Sequence, residues 1–83
     1  MNRIYKYRLI SNVTLMPLPE GATVVHVGNQ DNHVTIWVRL DPNQRLEERT
    51  FMFVGTGQPF PEDAIYLGTA HVGPFVWHVL EQK

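Results

Sequence analysis

Apolar and polar residues alternate with a period of two along most of the chain, and no window keeps the i, i+3, i+4, i+7 apolar stripe of an amphipathic helix. The pattern predicts an all-β protein. Neighbouring strand side chains point to opposite faces, so a strand over Ile4–Leu9 puts Tyr5, Tyr7 and Leu9 on one side and Ile4, Lys6 and Arg8 on the other. A short strand over Val13–Met16 is expected to stop at Pro17 and Pro19, which lack a ladder donor. β-branched residues over Thr23–Gly28 and Val34–Leu40 flank the polar cluster Asn29–His33, the strongest hairpin signal in the chain. Residues 44–49 read as a loop leading into a strand over Thr50–Val54. Pro59 and Pro61 bracket an irregular connection, and two last strands, Ala64–Ala70 and Phe75–Leu80, meet across Val72-Gly73-Pro74. These elements predict one domain spanning residues 1–83, with six or seven mostly antiparallel strands in a sandwich or partly open barrel.

Size and charge narrow the picture. At 83 residues, folding hides only about 60–65 % of the surface of the unfolded chain. Small domains often compensate with a disulfide, a metal or a partner subunit. The absence of cysteine removes the first route, so a homo-oligomer is expected. Seven Lys and Arg against eight Asp and Glu give a net charge of −1, so nucleic acid is not expected as a partner, although a local basic patch stays open. No apolar run approaches the roughly 18 residues of a membrane span, and the charged start MNRIYKYRL lacks the apolar stretch of a signal peptide. No membrane partner is expected, and the cytosol is the expected location.

Candidate chemistry is sparse. Gly55-Thr56-Gly57 is followed by Gln58-Pro59 rather than by the lysine and helix of a phosphate loop, so its glycines read first as a strand end requiring positive φ. The amides at 56–58 keep the alternative of an anion-binding nest. Gly68 falls within a strand, where glycine marks a bulge or a close backbone approach. Of the four histidines, His71 and His78 come opposite each other if the Gly73-Pro74 turn pairs symmetrically, the basis for a metal-site alternative. No HxH or HExxH spacing supports it. The one serine, Ser11, lies in a polar turn, and the threonines have no evident activating base, so no catalytic residue and no cofactor are expected. Arg3, Lys6 and Arg8 share a strand with Tyr5 and Tyr7, either to hold stacked bases and phosphates or to guard an exposed sheet edge. Trp37 and Trp77 read first as core residues and second as parts of a pocket or interface.

As a set, IYKYRL, MPLPEGATVVHVGNQ, TIWVRLDP, LEERTFMFVGTGQPFPED, YLGT and VWHVLE resemble, in that order, a family of small uncharacterised proteins encoded by bacteriophages and prophages. The likeness runs from Ile4 to Glu81, with GTGxPxP and the terminal WHV-hydrophobic-E its most specific parts. It implies a phage product acting inside a bacterial host and supplies no catalytic residue. The expected function is therefore non-enzymatic, anti-defence binding of a nucleotide-like anionic signal or of a host defence protein. Lys6 and Arg8 are the expected phosphate partners, Thr56 and Gly57 the expected donors, and Tyr7 or Trp37 the stacking surface. A structural or assembly protein joining exposed strand edges is the alternative, and a metal-dependent hydrolase using His71, His78 and an acid comes last.

Overall fold

Seven strands form and no helix does, in a computed structural model that describes Met1–Lys83. They are β1 (Arg3–Arg8), β2 (Val13–Pro19), β3 (Thr23–Gln30), β4 (His33–Leu40), β5 (Leu46–Gly55), β6 (Ile65–Val72) and β7 (Phe75–Gln82). β1, β4 and β3 make a three-stranded antiparallel sheet; β2, β5, β7 and β6 make a four-stranded one. The two lie face to face as a sandwich around Leu18, Ile36, Val38, Phe51 and Val79, each fully buried. The sandwich and not the open barrel is the architecture.

Tyr7 pairs with Ile36 on the inner face of its sheet, whereas Lys6 pairs with Trp37 on the outer face. The alternation of β1 thus has the expected parity. Asp31 and Asn32, at φ 52° and 63°, form the two-residue turn between β3 and β4, since a type I′ hairpin needs positive φ at both central positions. The strands therefore run deeper into the polar cluster than its composition implied.

Three expectations need correction. Pro17 and Pro19 do not stop β2, because β2 is an edge strand whose outer ladder is unpaired and loses nothing to a missing donor. Residues 46–49 are not a loop: they pair with Met16–Pro19 as the first part of β5. Trp37 is not a core residue, since β4 buries Val34, Ile36, Val38 and Leu40 inward and turns Trp37 outward.

Two features fix the sheets to each other. At Gly68 of β6 an added methyl would stand 2.9 Å from Val27 Cβ of β3, so the bare backbone sets how closely the sheets approach. At one end of the sandwich Arg49 holds Glu81 through two parallel bonds, 2.6 and 2.8 Å, and donates a third to the Ala22 carbonyl at 2.6 Å. The Glu81 carboxylate holds the Arg49 guanidinium further above its already high range, and the guanidinium lies over the Phe51 ring at 5.7 Å.

Candidate functional site

β5 and β6 flank β7, so the connection between them, residues 56–64, must cross β7 to reach the next strand. It does so over the outer face of the four-stranded sheet as a strap. Gln58 N–H donates to the Gly55 carbonyl at 3.1 Å, the Gln58 side chain accepts from Gly55 N–H at 2.6 Å, and Gly57 supplies φ +89° for the tight turn. At its far end Asp63 accepts from Gln82 at 2.8 Å. Leu80 points to this outer face yet is 1 % exposed, because the strap covers it.

Between strap and sheet lies a cavity of about 290 Å³. Val54, Phe60 and Leu80 form apolar walls; Thr56, Tyr66 and His78 supply a polar edge. Neither lysine nor arginine lines it. His78 Nε2 is 2.7 Å from Thr56 Oγ1, and its Nδ1 is 2.8 Å from the Tyr66 hydroxyl and 3.5 Å from Thr69 Oγ1. Tyr66 and Thr69 also share a short hydrogen bond.

A β-bulge makes this convergence geometrically attainable. In a regular strand, residues 66 and 69 would face opposite sides. The register of β6 shifts between Tyr66 and Gly68, so Tyr66 pairs with Leu80 and Thr69 with His78, both on the outer face, while Leu67 packs inward. Both Gly-Thr segments thus meet at His78: their glycines serve the backbone, and their threonines serve the imidazole.

Neutral imidazole has one donor and one acceptor nitrogen, so the chain Thr56–His78–Tyr66–Thr69 has two consistent proton arrangements. In one, Nε2–H donates to Thr56, Nδ1 accepts the Tyr66 proton, Thr69 donates to Tyr66, and the Thr56 O–H is free to donate into the cavity. In the other every bond reverses, and Thr56 faces the cavity as an acceptor. The polar edge can present either polarity without moving a heavy atom.

The residues expected to bind a single ligand are not brought together within one chain. Thr56 and Gly57 belong to the strap; Lys6, Arg8 and Trp37 lie on the outer face of the opposite sheet. Tyr7 points inward, where burial, and secondarily Tyr5, pushes its hydroxyl pKa up. His78, Tyr66 and Thr69 were missing from that set. The sequence contained a partial signal, since GTG, YLGT and WHV are the distinctive stretches, but the imidazole that meets Thr56 comes from a residue 22 positions away. His71 pairs with Val76 and not with His78, and no group of three His, Asp or Glu side chains converges anywhere.

A family model described as a domain of unknown function, DUF7352, matches residues 1–83. The chain belongs to this family. No curated protein and no solved structure matches it. DUF7352 brings no activity with it, so the chemistry of the strap cavity rests on the geometry of its own residues.

Proposed function

We propose that this DUF7352 domain is a non-enzymatic binding protein whose ligand site is the cavity beneath the strap. The observation that carries the reading is the reversible hydrogen-bond chain ending at Thr56 on the edge of an otherwise apolar pocket. Ligand pockets are commonly apolar with a few convergent polar groups, and about 290 Å³ is at the small end of their range. The fit is a planar, uncharged heterocycle of nucleobase size, held against Phe60 and Val54 and read at its edge by Thr56. The lack of a lining cation favours the ring over a phosphate as the group held. The likeness to phage proteins favours a base-containing host signal as its source, in keeping with an anti-defence role.

A panel of nucleobases, nucleosides and nucleotides tested by melting shift addresses this reading. A ligand at 100 times its Kd stabilises by about 2.7 kcal/mol, which is a displacement of several degrees in a domain of this size. The base or nucleoside should suffice, and Thr56→Val should abolish the shift. A flat panel contradicts the proposal.

A second reading has a specific basis: Thr56 Oγ1 stands at nucleophile-to-base distance from His78. The group on Nδ1 is a neutral phenol, which leaves the imidazolium formed on proton abstraction without the anion a triad carboxylate supplies. Binding is therefore the better supported. Ester turnover abolished by both Thr56→Val and His78→Ala would reverse that order.

A further inference from the structure

The net charge of −1 conceals a sharp segregation. β1, β3 and β4 carry Arg3, Lys6, Arg8 and Arg39 and not one carboxylate, so the remaining three cations share the rest of the chain with all eight acids. Three of the four cations lie on one surface. Lys6 pairs with Trp37, Arg8 with Thr35, and Ile4 with Arg39, all on the outer face of the three-stranded sheet.

Trp37 occupies the middle of the central strand, half-buried, with Lys6 on one side and His26 on the other. A second bulge, between Val24 and His26, turns His26 outward; on an unbroken strand it would share the inward face of Val24. Its ring lies 5.1 Å from that of Trp37. Gly28 opens the space, since a Cβ there would stand 3.0 Å from His26 Nε2. The acids at the two ends of β4 do little to neutralise the surface. Asp31 reaches Arg8 only at 3.8 Å in an exposed pair, and Asp41 accepts from Asn43 N–H and Gln44 in its own loop.

We infer that this face is a platform for single-stranded nucleic acid, with Trp37 and His26 stacking bases and Lys6, Arg8 and Arg39 holding phosphates. Alternate residues of one strand are roughly 7 Å apart, so Lys6 and Arg8 form a row of charges along the sheet rather than a single anion hole. Aromatics on a flat sheet flanked by cations are what sequence-tolerant single-strand binding requires. Three strands of this length give room for about four nucleotides, the low end of the usual site size. The inference is independent of the strap cavity, which lies on the opposite side of the sandwich.

The test is fluorescence anisotropy of a labelled oligothymidylate titrated with the full chain at increasing salt. Three phosphate contacts predict log K falling with log salt at a slope of about −2. Each of Lys6→Gln, Arg8→Gln and Arg39→Gln should reduce the slope by about 0.7. Trp37→Ala should weaken binding roughly tenfold. Should that variant unfold, Trp37→Phe keeps the test open, because indole quenching by the oligonucleotide must then disappear while Trp77, on the inner face, stays in place. The inference is overturned by absence of binding at low salt, by binding that survives the triple glutamine variant, or by polyglutamate competing as well as the oligonucleotide. The last result would assign the face to an acidic polypeptide.

Discussion

The two outer faces of this sandwich are built with the same device and left in opposite states. On each, a bulge in an edge strand re-aims an aromatic or imidazole side chain: Tyr66 comes to share a face with Thr69, and His26 comes to share one with Trp37. On the four-stranded sheet a strap then roofs the result, burying Leu80 and bonding His78 Nε2 through Thr56, while Tyr66 of β6 bonds Nδ1. On the three-stranded sheet no segment crosses, and Ile4 remains 61 % exposed among the cations. Topology explains the difference. β5 and β6 lie on either side of β7, both antiparallel to it and so parallel to each other, and need a crossover, whereas β3 and β4 are joined by a two-residue turn that has no length to cover anything. The roofed face can enclose a small ring; the open face can only receive an extended partner.

The largest effect that separates the faces should come from truncating an apolar residue on each. Leu80→Ala removes a fully covered side chain and should cost about 3 kcal/mol, whereas Ile4→Ala should stay within about 0.5 kcal/mol. Urea denaturation measures both, and equal costs would mean that the strap does not cover its face. Next, Gly68→Val forces a side chain against Val27 and should cost roughly 1–3 kcal/mol by overpacking. A neutral result in the same assay would show the sheets to be further apart. Smaller still, His78→Phe takes the partner from the exposed Thr56 hydroxyl while Tyr66 keeps its bond to Thr69; it should cost about 0.5–1 kcal/mol and speed proteolysis in the strap. His26→Phe should do neither.

The smallest effect is a pH dependence on the inner side of β1. Burial raises the Tyr7 pKa in the folded chain above its unfolded value near 10. Above that value the unfolded chain loses the proton first, so the folded state binds more protons and stability falls as pH rises toward the folded pKa. Melting temperatures taken across this alkaline window should decline less steeply for Tyr7→Phe than for the parent chain. Identical slopes would place Tyr7 in water.

Much of this fold was legible because alternation survives in edge strands and hairpins. Tyr5 and Tyr7 against Lys6 and Arg8 needed only parity, and Gly57 and Gly73 fall where positive φ is required. The candidate site was legible only in pieces. Parity fails at a bulge, because one extra residue reverses every side chain beyond it: Gly68 marked a bulge or a close approach, and both occur there, but only the register shows that Thr69 thereby shares a face with Tyr66. Which strand lies between β5 and β6 is a matter of long-range pairing, and without it the strap is an ordinary loop and His78 one polar residue between Trp77 and Val79. The basic face was legible in part: Lys6, Arg8 and Trp37 stood out in the sequence, but only strand pairing brings Arg39 and His26 to them and separates these cations from the acids.

The central claim, that the strap cavity and His78 form the ligand site, is tested most directly by side-chain nitrogen NMR of the four histidines during titration with the nucleobase or nucleoside that shifts the melting curve most. The predicted result is a saturable change in the His78 ring nitrogens, with His33 and His71 unmoved. A change confined to His26, or none at His78 at saturation, would contradict it.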